Sequence, residues 1–455
     1  MDTIGILGAG IAGLTAAYRL QQQGLDVRVL EATERVGGMI RSEQQEGFLV
    51  EHGPNSLRPT PDVLPTTLHD LELMDEVVEA NAAASTRYVV RDGIPTPLPM
   101  SLRSFLTSDL LSTRAKLRLL TEPFRSTGTG TDESVASFVR RRLGPEVLDY
   151  AVNPFVGGIF AGDPEDLSVR HAFEKLFTME REHGSLFRGA LHAARTRSKA
   201  SDDAPATPSG LFSFRDGLET LPQALADALG DRITRSAPVT EVRPDGAQCH
   251  VTAGTKDGPA SYTFDGVVCT VPLHRIPALG LDTPADWGPL ERVPYPPVSV
   301  LALGFEREDV HHPLDGFGML VPAVEEDFQI LGTIFSSTLF PDRAPEGRVL
   351  LTTFAGGARQ PDLGAAGTAT LQSVVTDDLD ALLGLQGEPT FIRHVQWARA
   401  IPQYSLDHNQ VTATLEEIEA EHPSLHFAGN YRTGVSVGDA MASGADAAER
   451  VLDRV

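Results

Sequence analysis

A chain of 455 residues with 41% apolar composition exceeds what one ordinary core accommodates and suits two or three. Its 38 Lys plus Arg against 62 Asp plus Glu leave a net charge of −24, and so acidic a surface repels phosphate backbones, which argues against nucleic acid as a partner. The two cysteines, Cys249 and Cys269, are not grouped with histidines at ligand spacing, so neither a disulfide framework nor a metal site is expected.

Met1-Asp2-Thr3 leads straight into the apolar run Ile4 to Leu7, and no secretory leader is expected there. No stretch reaches about 18 uninterrupted apolar residues, so a spanning helix is not expected either. A reducing, cytoplasmic setting is the expectation, with peripheral contact to the inner face of the cell membrane left open. Gly8-Ala9-Gly10-Ile11-Ala12-Gly13 follows the first run. Leu14 to Leu20 then reads as a helix with Leu14, Ala17 and Tyr18 on one face, Gly24 ends it, and Asp26 to Leu30 reads as the next strand. This is a βαβ unit, the context in which G-x-G-x-x-G is specific for a dinucleotide. Gly8 permits the tight turn, Gly10 lets a pyrophosphate approach the backbone, and Gly13 allows close helix–strand packing, while the helix start at Ile11 and Ala12 offers unpaired N–H donors. Glu31, 18 residues after Gly13 and followed by Ala32, is placed to accept from ribose hydroxyls and to repel a 2′-phosphate.

Arg35, Gly37, Gly38 and Arg41 extend the pattern to E-x-x-x-R-x-G-G-x-x-R, which resembles the extended FAD signature of the amine oxidase-like flavoproteins. That resemblance implies close backbone approach to FAD at Gly37, Gly38 and Met39, with arginines beside its phosphate and ribityl portion. Near the C-terminus, Phe427-Ala428-Gly429-Asn430 and Thr433-Gly434-Val435-Ser436-Val437-Gly438 resemble the closing FAD segment of the same superfamily, followed by a helix from about Asp439. No second G-x-G-x-x-G occurs, which favours an oxidase or desaturase over an NAD(P)H-dependent reductase.

Between these ends, Leu98 to Phe124 mixes Leu, Met and Phe with Arg103, Arg114, Lys116 and Arg118, a partly amphipathic and basic pattern. It suits either a core-facing helix pair or a bilayer-docking one. Asp132 precedes Val135, Phe138, Val139 and Leu143 at helical spacing, and Gly144-Pro145 supplies a stop; helical patterns continue to about residue 197. Ser198 to Ser209, rich in Ser, Ala, Asp and Pro, reads as a domain-crossing loop. Strand candidates follow at Val267 to Val271, Val298 to Phe305, Met319 to Val321, Ile330 to Ile334 and Val349 to Phe354, suggesting a second sheet.

Several segments together resemble the oxygen-dependent protoporphyrinogen and coproporphyrinogen oxidases over nearly the whole chain. They are Glu51-His52-Gly53-Pro54-Asn55-Ser56, the stretch from Asn153 to Pro164, Gly316-Phe317-Gly318-Met319-Leu320-Val321-Pro322, Leu331-Gly332 with Phe335-Ser336-Ser337, and Phe340-Pro341-Asp342-Arg343-Ala344-Pro345. The resemblance implies an α/β fold with an α+β substrate domain. A Rossmann-type FAD-binding domain would comprise residues 1–58, 207–280 and 405–455, a mixed-sheet substrate domain residues 59–92 and 281–404, and a helical domain residues 93–206. It also implies removal of six electrons from a porphyrinogen in three hydride transfers, with oxygen reduced to hydrogen peroxide. The product would be handed to a ferrochelatase, and monomer and homodimer both remain open.

By the same resemblance, Phe317, Gly318, Leu320 and Phe354 line the macrocycle pocket, with Phe354 facing Leu320 across it and the Gly318 carbonyl accepting from pyrrole N–H. A flat apolar substrate suits such a slot. Arg87 matches a carboxylate-binding arginine, whose planar fork can hold a propionate, and Asn55 stands near a pyrrole ring. Gly53, Pro54, Asn55, Ser56, Val239 and Trp397, with Gly429, Gly434, Val435, Ser436 and Val437, take the remaining FAD contacts. No side-chain nucleophile, metal or general base is implied. Phe214-Arg215-Asp216-Gly217 departs from the family, which often shows a Gly pair before Leu218, and Val156-Gly157-Gly158 varies a Val-Ser-Gly type.

Two other readings share part of this evidence. Another oxidase of the superfamily, such as an amine oxidase or carotenoid desaturase, would share the FAD features but lack the 316–322 and 340–345 segments; an amine oxidase would also show an aromatic cage, for which 2 Trp and 7 Tyr are available. A flavin-free binding protein of the Rab-escort type would have lost the Gly turn and Glu31. The choice between protoporphyrinogen IX and coproporphyrinogen III, with two and four propionates, stays open.

Overall fold

The protein is described by a computed structural model over residues 3–128, 132–197, 208–256 and 258–454; all but the last two residues of the expected crossing loop 198–209 lie outside the described residues. A five-stranded sheet, parallel throughout, has the order Leu425–Phe427, Gly266–Cys269, Thr3–Leu7, Asp26–Leu30, Ile233–Thr234. Ile4, Ile6 and Leu7 have no exposed surface, because helices or a second sheet cover each face, and this is why the run is apolar without alternation. Helices Ile11–Gln22, Thr220–Leu229 and Val437–Leu452 share one core with it. On the other side an antiparallel sheet of Val239–Asp245, Gln248–Thr255 and Gly258–Phe264 packs together with helix His408–Glu421. The strand expected at Val267 to Val271 therefore belongs to the parallel sheet.

The other expected strands form a sheet of seven in the order Phe391–Trp397, Val298–Glu306, Arg348–Gly356, Ile330–Phe335, Gly318–Leu320, Arg87–Arg91, Ile94–Pro97. Neighbours are antiparallel except Gly318–Leu320 beside Arg87–Arg91. One face packs through Leu301, Leu303, Met319 and Leu351 on helix Thr368–Leu383. The other meets the hairpin Ser42–Gln45/Phe48–Glu51 through Ala302, Leu350 and Phe391.

Two expected boundaries shift. Ile94–Pro97 carries this sheet past residue 92, because Asp92 and Gly93 take φ of 51° and 74°, the two-residue turn whose twist matches antiparallel strands. Helix Val63–Asp70 lies in the core of the parallel sheet, where Val63, Leu64 and Leu68 join Leu14 and Met441, so the segment after residue 58 does not pass directly into the substrate sheet.

The described residues from 102 to 197 are mostly helical and enclose their own core around Phe138, Val139, Val156, Phe160 and Phe177. Ser134 caps the helix Val135–Arg142, accepting from Ser137 N at 3.1 Å, while Asp132, the expected start signal, accepts from Ser168 Oγ at 2.7 Å. Arg142 and Glu122, both without exposed surface, form an ion pair, and Glu122 also accepts from Ser185 Oγ at 2.6 Å and Leu186 N at 2.9 Å. Among the described residues no helix is long and apolar enough to cross a membrane.

Candidate active site

The glycine turn is built as its spacing demands. Gly8 takes φ +104°, and a side chain at Gly13 would collide with the Gly8 carbonyl oxygen, whereas a Cβ at Gly10 would meet nothing within 4 Å. Gly10 thus faces open space at the start of helix Ile11–Gln22, as a backbone that receives an anionic group must. Gly37 N donates to Ala9 O at 2.8 Å and pairs with Gly10 as an isolated bridge. A Cβ on Gly38 would lie 3.2 Å from Gly10 Cα, so the second glycine pair abuts the first. Arg35 is spent on that loop: it donates to the carbonyls of Val36 at 3.1 Å, Ile40 at 3.3 Å and Gly38. It shapes the loop through its carbonyls.

Glu31 is fixed by Ala9 N at 2.7 Å and by Thr33 N and Oγ1 at 2.8 Å each. Its own carbonyl accepts from Ala237 N at 2.8 Å, which brings Val239, two residues on, near Ala32 and the end of the second strand. Gly53 lies against Met39, whose carbonyl a Cβ would strike, and Pro54, Asn55 and Ser56 run on from there. Trp397 Nε1 donates to His52 O at 2.8 Å, tying the edge of the seven-stranded sheet to this segment. From the C-terminal side, Ser436 caps Val437–Leu452 in a reciprocal box with Asp439, so the helix begins two residues earlier than expected. Gly429 N donates to Ser443 Oγ at 3.0 Å. Gly434 has no room for a side chain beside Asp439, and Val435 packs against the helical core. Gly37 and Gly38 thus meet Gly10 at the start of helix Ile11–Gln22, Gly53 lies against Met39, and Gly429 is held on helix Val437–Leu452.

The expected substrate residues lie on the adjoining sheet face. Register pairs Leu320 with Gly332 and Gly332 with Phe354, and directly opposed residues share a face. Leu320 and Phe354 thus stand on either side of Gly332, where the absence of a side chain lets Leu320 lie close: a Cβ there would sit 2.5 Å from Met319 O and 3.1 Å from Leu320 Cδ2. Two residues along, on the same face, Arg87, Gly318, Ile334 and Thr352 form the next row. The guanidinium of Arg87 lies 5.6 Å from the centroid of the Phe317 ring. Gly318 stands between two paired strands, so ladder bonds compete for the carbonyl expected to serve pyrrole N–H. Gly157 and Gly158 of helix Asn153–Phe160 close the slot from above: a Cβ at Gly158 would come 2.8 Å from Leu320 Cδ2.

Three residues enter that the sequence did not single out. The register shift between Ile330 and Gly332 brings Leu331 into a cluster with Phe354 and Trp397; no sequence signal marks that bulge. Burial and then the charge of Arg58 push the Arg87 guanidinium below its usual pKa, so a second cation stands near the first. Among the described residues no ion pair holds either arginine. Glu51, at the end of Phe48–Glu51, is 4% exposed and burial pushes its carboxyl up to about 7.

A parallel sheet with a glycine cradle, joined to a second sheet bearing an apolar slot, is the architecture of a flavin-dependent oxidoreductase, and the profile of the flavin containing amine oxidoreductases matches residues 11–452. The chain belongs to that family and, within it, to the protoporphyrinogen/coproporphyrinogen oxidases. It is 36% identical to protoporphyrinogen oxidase 2, chloroplastic/mitochondrial, of Arabidopsis thaliana, over 99% of this chain and 93% of that protein. It is 28% identical to the coproporphyrinogen III oxidase of Staphylococcus aureus over 99% of each. The crystal structure of a candidate protoporphyrinogen oxidase from Exiguobacterium sp. 255-15 shares the fold with a TM-score of 0.83 at 23% identity, covering 100% of this chain and 99% of that one. The protein is an oxidoreductase with a flavin cofactor.

Proposed function

We propose that the protein oxidises protoporphyrinogen IX to protoporphyrin IX with FAD as cofactor, in haem biosynthesis, using oxygen and releasing hydrogen peroxide before the product passes to a ferrochelatase. The observation that carries this reading is the adjacency of Arg87 and Phe317 to a slot flanked by Leu320 and Phe354, on a sheet face tied through Trp397 to the flavin-side segment. A flat macrocycle with charged propionates needs that combination: apolar walls and a cation at one end.

FAD, with its adenine and pyrophosphate, suits the cradle better than a mononucleotide. The open backbone at Gly10 serves the pyrophosphate, Glu31 and Ala32 the ribose, Val239 the adenine, and Gly37 to Met39, Gly53 to Ser56 and Gly429 to Val437 the remainder. The flavin, when bound, supplies hydride acceptance and reoxidation by oxygen. The chain's task is to position a methylene bridge of the substrate and keep the site dry. Arg87, with Arg58 near it, would hold propionates; Gly332 lets the Leu320 side chain lie close over the sheet; Gly157 and Gly158 let the roof approach.

Peripheral membrane docking is part of the proposal. Leu117, Leu120 and Phe124, at 60%, 65% and 85% exposure, lie on the outer side of the helix Thr113–Leu120 and the turn after it, whose inner side buries Ala115. Exposed Arg103 and Arg114 flank them.

The test compares kcat/KM for purified protoporphyrinogen IX and coproporphyrinogen III with oxygen, together with anaerobic reduction of the bound flavin by each. Faster turnover of protoporphyrinogen is expected. Faster turnover of coproporphyrinogen III would change the substrate, and negligible flavin reduction by both would end the assignment.

A further inference from the structure

Porphyrinogen oxidation must dispose of protons as well as hydride, and the slot itself offers no base. The Gly318 carbonyl is contested by its ladders, and a peptide carbonyl can accept a hydrogen bond but cannot keep a proton at neutral pH. Immediately beside the slot, however, Glu51, Asn55, Ile334, Ser336, Thr352 and Arg343 line a cavity with room for about one water molecule. Two of its walls belong to the site: Ile334 is the register partner of Gly318, and Asn55 is held by donation of its Nδ2 to Gly53 O at 3.0 Å.

Glu51 is the acid in that wall. Its Oε2 accepts from Ser42 Oγ at 2.6 Å and its Oε1 from Leu218 N at 2.9 Å, which leaves lone pairs for a further donor. Arg343, 3% exposed, lies 3.8 Å from Oε1 but gives its hydrogen bonds elsewhere, to Ser213 Oγ at 2.7 Å, Phe214 O at 3.1 Å and Arg215 O at 3.3 Å. The pairing is therefore incomplete. Glu219, whose carboxylate accepts from Ser42 N at 3.0 Å, adds a like charge on the Glu51 side, and Asp216 and Asp342 face Arg343. Burial outweighs Ser42, Leu218 and Arg343 and brings Glu51 to about 7, where a carboxyl can both take and return a proton.

Resting on the function proposed above, we propose that Glu51 is a proton-relay residue, taking a pyrrole N–H proton from the slot through water in the cavity between Asn55 and Ser336. In each two-electron step the C–H bond at a methylene bridge breaks and its hydrogen leaves with the electron pair to the flavin. A pyrrole N–H bond breaks in each step and its proton passes to Glu51; after the third step a C–H proton of the fourth bridge moves to nitrogen, so that the porphyrin keeps two N–H bonds. Oxygen then takes up the two electrons, the transferred hydrogen and the proton from Glu51 and leaves as hydrogen peroxide. The carboxylate is restored for the next of the three steps.

Glu51→Gln keeps the volume, an acceptor for Leu218 N and an NH2 that can donate to Ser42 Oγ, and Glu51→Asp keeps the acid on a shorter stem. With flavin-loaded wild type, the rate of anaerobic flavin reduction by protoporphyrinogen IX falls as the pH drops through about 7. In Glu51→Gln that acid limb disappears, and the rate on its alkaline side falls by about a hundredfold or more, the range of a lost general base. Glu51→Asp restores a limb. Without substrate, infrared difference spectra of the holoenzyme show a protonated-carboxyl band that grows as the pH falls through about 7 and is missing in Glu51→Gln. If Glu51→Gln does not fold, the Asp variant and the wild-type infrared titration decide.

An acid limb that persists in Glu51→Gln, a rate within about twofold of wild type, or no carboxyl titrating near neutrality overturns the relay while leaving the porphyrinogen reading intact. Absence of flavin reduction in wild type at every pH removes that reading and the relay with it.

Discussion

Arg87 and Arg58 bring two positive charges together at the mouth of an apolar slot, without a carboxylate ion pair among the described residues. Such a pair is stabilised by an anionic ligand and strained without one. Arg87→Ala is therefore expected to raise KM for the porphyrinogen about tenfold or more, the worth of a charged hydrogen bond, while lowering kcat less, as for an anchor used equally in ground and transition states; an unchanged KM removes Arg87 from the site. Glu51 has a different signature. Its folded pKa of about 7 lies above its unfolded value of about 4.3, so its contribution to stability is full below the lower value and is lost as the pH rises through the higher one. Glu51→Gln should thus gain in melting temperature relative to wild type between about pH 5 and 8, by an amount equivalent to about 3 kcal/mol at most; parallel curves would mean that Glu51 does not titrate there. The sequence discloses Gly8 and Gly13, because turn chemistry is local, and points to Arg87 only through the family resemblance. It did not disclose Arg58 and Glu51 as site residues, because their environment is assembled by segments far apart in the chain, Ser42, Ser213 to Leu218 and Arg343 around Glu51.

Among the elements, the contact that fixes the cradle is that of helix Ile11–Gln22 with helix Val437–Leu452. Gly444 makes it possible: a Cβ there would collide with the carbonyl oxygen of Ala12, inside the glycine motif itself. Gly444→Val must push the helices apart, at a cost of about 1–3 kcal/mol for overpacking, and should weaken flavin retention along with stability. The check is the melting temperature with and without added FAD and the flavin content after dialysis; full retention would show that the two helix starts do not act together. The long elements were legible from their periods. Ile4 to Leu7, Asp26 to Leu30 and Val298 to Phe305 are strands within one residue of expectation. The hairpin at Asp92-Gly93 carries a local turn signal, and its second strand, Ile94–Pro97, is too short and proline-rich to show a strand period. The strands Gln248–Thr255 and Gly258–Phe264 alternate only weakly, through Cys249, Val251 and Ala253 on the first, so small residues hid a half-buried face. Their role as a layer over the parallel sheet is tertiary and has no local signature.

At the scale of the molecule, the charge is −24, yet the outward apolar strip Leu117, Leu120 and Phe124 is bordered by Arg103 and Arg114. The acidic body is repelled by an anionic bilayer, so on the docking proposal the strip is the surface that would approach one. The buried pair Arg142–Glu122 holds the strip in place, because Glu122 joins the exposed turn to the helix Leu186–Arg197 through Ser185 and Leu186. Each apolar side chain that enters the interface contributes about 1.5–3 kcal/mol. Replacing both Leu117 and Phe124 by Asp should therefore weaken co-flotation with vesicles containing phosphatidylglycerol by a hundredfold or more, at roughly 1.4 kcal/mol per factor of ten. Both residues lie outside the slot, so kcat in detergent should stay near wild type. Raising the salt concentration should reduce binding of the wild type only in part, since the basic flank is screened and the apolar strip is not. Flotation of the double variant equal to wild type, or wild-type binding abolished by salt alone, would show that the apolar strip is not the docking surface.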